Sequence, residues 1–121
     1  VSRSLISDGC TIGPGSRIEN SVIGVRTNIG SNVTIRNSVI MGADYYVKDH
    51  SAPEDCIGIG DDVVIDGALV DKNVHIAPGV RIVSSQATNG DGDYGAVVVS
   101  DGIAVVRKRS SVPANWSFSS Q

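Results

Sequence analysis

The sequence has no excess of positive charge and no long apolar run. Its net charge is −3 at pH 7 with a pI near 5.1, and only 19% of its 121 residues are charged. An acidic chain of this kind lacks the basic surface that nucleic acids or anionic membranes attract. No apolar segment approaches the roughly 20 residues that span a bilayer. We therefore expect neither a nucleic-acid partner nor a membrane partner.

Cysteine and histidine are also scarce, with two of each. Cys10 and Cys56 do not form a C-x-x-C pair, and a zinc site with three histidine ligands needs one more histidine. No phosphate-binding loop, dinucleotide fingerprint or G-x-S-x-G motif is present. We expect no metal, no cofactor and no catalytic residue in this chain, and the unpaired cysteines favour a reducing compartment.

The chain does contain an aliphatic residue that returns every six positions, with a step of five once in each longer period. The long period is 17 residues, as from Ile6 to Ile23. The repeated residues are Ile6, Ile12, Ile18, Ile23, Ile29, Ile35 and Ile40, followed by Ile59, Ile65, Val70, Ile76 and Ile82. A helix would repeat every three or four residues and a half-buried strand every two, so this is a hexapeptide repeat.

A hexapeptide repeat predicts a triangular solenoid whose three sides are short strands. The repeated aliphatic residue points inward, and stacked coils bury faces that one coil could not bury alone. We expect the residue four positions later to fill the corner behind it, as with Val22 after Ile18 and Val39 after Ile35. Glycine and asparagine at the corners fit turns with positive φ or close packing.

The period is interrupted twice. Residues 1–41 form about two coils, residues 42–57 break the repeat and should leave the solenoid as an inserted loop, and residues 58–83 resume it. Residues 84–95 are polar and rich in glycine, which predicts a second loop. Loops of this kind on solenoids often carry function.

The last part of the chain is rich in β-forming residues. The runs 96–99 and 102–107 predict one or two further strands joined by a turn. The single tryptophan, Trp116, and the single phenylalanine, Phe118, follow them, and we expect them to cover the open end of the solenoid. The chain begins inside a coil at Val1, so we expect the natural protein to extend further toward its N-terminus.

Two histidines could serve as a general base, because many hexapeptide proteins are acyltransferases that use one. His75 precedes the inward Ile76 and should face outward, and His50 lies in the 42–57 insertion. Neither is accompanied by a nucleophile or an oxyanion site. A trimeric acyltransferase with His75 or His50 as the base remains the alternative function.

The cations form the more informative cluster. Arg107, Lys108 and Arg109 are consecutive in an otherwise acidic chain. Lys72, His75 and Arg81 come from neighbouring coils, and such groups could converge on an anion through charge-assisted hydrogen bonds. The alternative interpretation is that these residues form an ordinary charged surface and not an anion site.

Several segments resemble, in order and spacing, the C-terminal domain of ADP-glucose pyrophosphorylase (glucose-1-phosphate adenylyltransferase), and its plant and cyanobacterial branch more than the enteric one. The Met-Gly-Ala-Asp-Tyr-Tyr segment at 41–46 is the most specific, and it argues against a mannose-1-phosphate guanylyltransferase. The other matching segments are 20–27, 57–60, 70–76 and 100–106. The resemblance implies that the single domain at 1–121 is an all-β, left-handed parallel β-helix.

The resemblance also implies a function. In this family an N-terminal nucleotidyltransferase domain, expected before this fragment, converts ATP and glucose 1-phosphate to ADP-glucose and pyrophosphate for glycogen or starch synthesis. That domain would hold Mg²⁺, and the β-helix would contribute to regulation and to assembly of a homo- or hetero-tetramer. The parent protein would be an enzyme in the bacterial cytoplasm, or in the plastid of a plant.

The resemblance further implies an allosteric site for a small anion such as 3-phosphoglycerate, with phosphate as its competitor. Lys72 matches one effector-binding lysine through its Asp-Lys-Asn motif, and Lys108 matches the other when counted back from Pro113. Arg107 and Arg109 flank Lys108 where the family is less basic, and we expect one or both to contribute. The segment 86–93 and the ending after Pro113 depart from the family pattern, so the identity of the effector does not follow.

Overall fold

A computed structural model of the chain describes residues 3–42, 58–83, 92–94, 97–114 and 116. Within these residues the backbone forms sixteen short strands and no helix. None of the described segments is a helix with the length and apolarity needed to cross a bilayer. Short strands separated by turns are what the hexapeptide repeat predicts.

The strands form three sheets, which are the three sides of a prism. The first sheet contains, in spatial order, β1 (Leu5–Ile6), β4 (Val22–Ile23), β7 (Val39–Ile40), β10 (Ala68–Val70), β15 (Ile103–Val106), β14 (Val97–Ser100) and β13 (Gly92–Tyr94). The second contains β16 (Ser111–Val112), β11 (His75–Ile76), β8 (Gly58–Ile59), β5 (Asn28–Ile29) and β2 (Thr11–Ile12). The third contains β12 (Arg81–Val83), β9 (Val64–Asp66), β6 (Thr34–Arg36) and β3 (Arg17–Glu19).

Successive coils pair in parallel and in the register that the repeat predicts. Ile12 pairs with Ile29 on the second side, and Ile18 pairs with Ile35 on the third. Ile29 then pairs with Ile59, so the stacked isoleucines of the second side keep their register across the interruption of the repeat. Of the predicted loop at 42–57, residues 43–57 lie outside the described residues, while the coils on either side keep their register.

The inward columns of aliphatic side chains form the core. Ile18, Ile35 and Ile65 on the third side are completely buried, and so are Ile76 and Ile82. Burying an isoleucine stabilises the fold by about 1.5–3 kcal/mol relative to leaving it exposed, so these columns supply the main driving force. Ile6 and Ile12 in the first coil are only partly buried against this core. The predicted inward positions are confirmed.

The expectation that Val22 and Val39 fill corners is wrong. Both valines are exposed and lie on the outer face of the first sheet. The step of five residues shortens this corner, and Val22 directly precedes the inward Ile23 in β4. Because neighbouring residues of a strand point to opposite faces, Val22 must face outward. Leu69, before the inward Val70, is partly exposed for the same reason.

Serine hydroxyls occupy that short corner instead. Ser21 and Ser38 are buried, and each Oγ accepts a hydrogen bond from a backbone N–H of the next coil. The Ser21 Oγ accepts from Ser38 N at 3.2 Å, and the Ser38 Oγ accepts from Ala68 N at 3.2 Å. The Ser4 Oγ accepts from Ser21 N in the first coil. A buried N–H needs a partner, so this serine ladder satisfies the backbone where the sheet ladder is interrupted.

Turn residues follow two different physical rules. Asn20, Asn32, Asn37 and Asn73 have positive φ, as their tolerance of the left-handed region predicts. Asn28 does not, because it lies in β5. Gly24 is required by close approach, since a Cβ there would collide with the Met41 carbonyl of the next coil.

The C-terminal end changes from parallel to antiparallel pairing. The strands β14 and β15 form a hairpin whose two-residue turn, Asp101 and Gly102, has positive φ at both positions. The predicted strand pair is thus confirmed. Part of the predicted loop at 84–95 is instead the strand β13, which pairs antiparallel with β14. Pairing with β13 protects the edge that β14 would otherwise expose.

Trp116 covers this end of the solenoid, as predicted. Its side chain is buried, and its indole Nε1–H donates a hydrogen bond of 2.8 Å to the carbonyl oxygen of Tyr94. Tyr94 is also buried and ends β13. The tryptophan therefore ties the chain after β16 to the last strand of the first sheet. Phe118 lies outside the described residues.

Candidate functional site

The structure stacks Lys72 on Lys108. β10 and β15 are parallel neighbours with Val70 paired to Val106, so the residues two positions later occupy the same place in adjacent coils. The backbone confirms this register, because Arg109 N donates to the Lys72 carbonyl oxygen at 2.9 Å. Adjacent strands lie about 4.8 Å apart. The two lysines therefore leave the same corner one coil apart.

We call residues 71–73 and 107–109 the basic corner. They carry four cations, Lys72, Arg107, Lys108 and Arg109, and one carboxylate, Asp71. The formal charge of this corner is thus positive, in a chain whose net charge is −3. Lys108 and both arginines are exposed, and Lys72 is partly buried. Fixed positive charge concentrated at one corner raises the local concentration of small anions.

Asp71 is turned toward the backbone of its own corner. Its Oδ1 accepts a hydrogen bond of 2.7 Å from Lys72 N. Asp71 N donates in turn to the carbonyl oxygen of Val106 in the adjacent coil, at 3.1 Å. The carboxylate therefore shapes the turn from which the Lys72 side chain leaves.

Arg109 has a left-handed backbone, with φ of 61°. The equivalent residue one coil earlier is Asn73, with φ of 60°. Asparagine tolerates this region, whereas a long side chain such as arginine is strained there by about 1 kcal/mol. The corner thus carries an arginine where the turn itself favours a smaller residue.

Arg107 points away from the stacked lysines. Its Nη2 forms an ion pair of 2.9 Å with Oδ2 of Asp93 on β13. The order of strands is β10, β15, β14 and β13, so Asp93 lies on the side of β15 opposite to Lys72. The structure brings Lys72, Lys108 and Arg109 to one corner, and it directs the Arg107 guanidinium toward the end of the sheet.

The other predicted cations lie on different sides of the prism. His75 is on β11 in the second sheet, between Gly58 and Ser111 of the adjacent coils. Arg81 is on β12 in the third sheet. The grouping of Lys72, His75 and Arg81 around one anion is therefore wrong, because one coil distributes them over a corner and two faces.

His75 is partly exposed, as its predicted outward orientation requires, and His50 lies outside the described residues. Among the described residues there is no group of three or more His, Cys, Asp or Glu side chains that could hold a metal ion. Cys10 packs beside the core with its Sγ near the Gly24 carbonyl.

Among the described residues, Asp93 is a functional candidate that the sequence pattern did not indicate. The Asp-Gly turn at 101–102 predicts a hairpin, and that signal places Val98 opposite Val105. It does not place Asp93, because β13 comes from the segment that was predicted to be a loop. Only the pairing of Asp93 with Val98 brings this carboxylate to the end of β15.

The chain matches a known family over nearly its whole length. The model of the GLGC left-handed parallel β-helix domain covers residues 1–116 of the 121. This match extends from the first coil through the basic corner to Trp116, and it identifies the parallel solenoid as left-handed. The chain therefore belongs to the GLGC left-handed parallel β-helix domain family, the type of domain found in ADP-glucose pyrophosphorylases.

Proposed function

We propose that this domain is the regulatory and assembly part of an ADP-glucose pyrophosphorylase and that its basic corner binds an anionic effector. The observation that carries the proposal is the stacking of Lys72 on Lys108, with a backbone hydrogen bond of 2.9 Å between their turns. Two like charges held one coil apart repel each other. A phosphate or carboxylate between them relieves this repulsion and accepts hydrogen bonds from both ammonium groups.

The effector acts through linkage. An anion that binds the corner more tightly in one arrangement of the β-helix against the catalytic domain shifts the population toward that arrangement. Lys72 and Lys108 hold the anion and Arg109 adds positive charge from the same turn. A phosphorylated metabolite such as 3-phosphoglycerate suits the site, with inorganic phosphate as a competitor. The catalytic domain supplies the nucleotidyl transfer.

The role in assembly is supported by an aliphatic row on the outer face of the first sheet. Leu5, Val22 and Val39 are stacked by the strand register and are 64%, 40% and 37% exposed. An open groove of about 600 Å³ runs along these strands. Contiguous exposed aliphatic residues favour contact with another protein surface. Replacement of Val39 by Lys should lower the sedimentation coefficient of the oligomer, and an unchanged coefficient would count against this face.

Titration of the full-length enzyme with 3-phosphoglycerate and with inorganic phosphate tests the effector site. Lys72→Gln and Lys108→Gln should each raise the activator concentration needed for half-maximal activation about tenfold or more, because hydrogen bonds to charged groups are worth about 1.5–3 kcal/mol. Arg17→Gln is the matched control, since it removes one exposed cation from β3 on another side. Equal activation constants in all four proteins would refute the site.

A further inference from the structure

Asp93 accepts a hydrogen bond from the Arg107 guanidinium next to the basic corner. Arg107 leaves the basic corner beside Lys108, and its Nη2 lies 2.9 Å from Oδ2 of Asp93. Both side chains are more than half exposed, at 53% and 65%, so solvent and ions reach the pair freely. An exposed ion pair of this kind is weak and is readily exchanged for another anion.

The carboxylate belongs to a strand that is held in place independently. Asp93 lies in the middle of β13, which pairs with β14 on one side. The next residue, Tyr94, is buried and accepts the hydrogen bond from the Trp116 indole. Asp93 is therefore presented to Arg107 by a strand that does not depend on the ion pair for its position.

We infer that Asp93 is an affinity-determining residue of the anion site, a built-in counter-ion that holds Arg107 away from the ligand. This inference rests on the proposed function of the basic corner. An anion at Lys72 and Lys108 recruits Arg107 only by breaking its pair with Asp93. Removing the charge of Asp93 leaves Arg107 available to the ligand.

The test measures the Kd of inorganic phosphate by isothermal titration calorimetry, with the full-length protein at low ionic strength. Asp93→Asn should bind phosphate about two- to fivefold more tightly, the factor that corresponds to the loss of an exposed ion pair. Asp62→Asn is the matched control, because it removes an exposed carboxylate from a turn on another side. The control should leave the Kd within the error of the measurement.

A double variant shows whether the effect passes through Arg107. In an Arg107→Gln background, Asp93→Asn should no longer tighten binding. Tightening that persists without Arg107, or that Asp62→Asn reproduces, overturns the inference. High salt should also remove the difference between wild type and Asp93→Asn, since the exposed charges are then screened.

Fluorescence separates an electrostatic role of Asp93 from a structural one. Trp116 is the only tryptophan of these 121 residues, and its indole contacts β13 at Tyr94, next to Asp93. Asp93→Asn should leave the emission spectrum unchanged while the Kd falls. A shifted spectrum with an unchanged Kd identifies Asp93 as an anchor of β13 and overturns the inference.

The lysine variants distinguish failure of the proposed anion site from failure of the inference about Asp93. A Kd that is insensitive to Lys72→Gln and Lys108→Gln overturns the proposed site and this inference with it. A Kd that depends on both lysines but not on Asp93 overturns the inference alone.

Discussion

The serine ladder predicts that Ser38→Ala destabilises the fold. The Ser38 Oγ accepts from Ala68 N at 3.2 Å and donates to the Arg36 carbonyl oxygen at 2.6 Å. The Arg36 carbonyl oxygen still accepts a hydrogen bond of 3.1 Å from Gly67 N, so losing the hydroxyl donor costs it little free energy. The Ala68 N–H loses its hydroxyl acceptor in a buried corner, and an unsatisfied buried donor costs about 1–3 kcal/mol. We therefore expect Ser38→Ala to lower the free energy of unfolding by about 1–3 kcal/mol.

Urea and thermal unfolding, followed by circular dichroism, measure the effect. For a domain of this size, a loss of 2 kcal/mol lowers Tm by roughly 8 °C. Ser21→Ala should give a similar loss, because the Ser21 Oγ accepts from Ser38 N and donates to the Glu19 carbonyl in the same way. Ser111→Ala is the control, since Ser111 is exposed on β16 and its loss should change stability by less than about 0.5 kcal/mol.

A loss of stability in Ser38→Ala as small as that in Ser111→Ala would refute the role of the serine ladder. That result would mean that Ala68 N finds another acceptor when the hydroxyl is removed, and that the ladder adds little to the stability of this corner. A large loss for Ser38→Ala with a negligible one for Ser21→Ala would show that the two rungs are not equivalent, in spite of their matching geometry.

Three further variants test the turns and the C-terminal end. Gly24→Ala should destabilise the fold by about 1–3 kcal/mol or more in urea unfolding, because its Cβ would collide with the Met41 carbonyl. Gly79→Ala has free space around it but a φ of +80°, so only a strain of about 1 kcal/mol is expected and a larger loss would contradict this account. Trp116→Phe should lower the free energy of unfolding by about 1–3 kcal/mol through loss of the hydrogen bond to the Tyr94 carbonyl, and an unchanged unfolding midpoint would show that this bond adds nothing.

The candidate site was only partly predictable from the sequence. Lys72 and Lys108 were named from a resemblance, and nothing in their spacing showed that they stack. The segment between β12 and β15 does not follow the period, so counting repeats cannot align the two turns. The pairing of Val70 with Val106 decides that alignment. The ion pair between Arg107 and Asp93 depends on two other pairings, β13 with β14 and β14 with β15.

The sequence by itself determined the solenoid and its core. An aliphatic residue that recurs every six positions, with a regular step of five, predicts a solenoid with three short sides. The same repeat predicts that each recurring isoleucine points inward, whatever its neighbours are. Ile18, Ile35 and Ile65 are buried in one column for this reason. Periodicity is a local property of the chain and burial of aliphatic side chains is non-directional, so the pattern alone suffices.

Only the tertiary structure decided what fills the short corners and which charges meet. Val22 faces solvent while Ser21 is buried, because the hydroxyl can satisfy an N–H of the next coil and the valine cannot. Arg107 meets Asp93 because two successive antiparallel pairings, β15 with β14 and β14 with β13, bring Asp93 to the end of β15. Hydrogen bonds and ion pairs are directional and short-ranged, so they depend on the final register between coils and not on the spacing of residues along the chain.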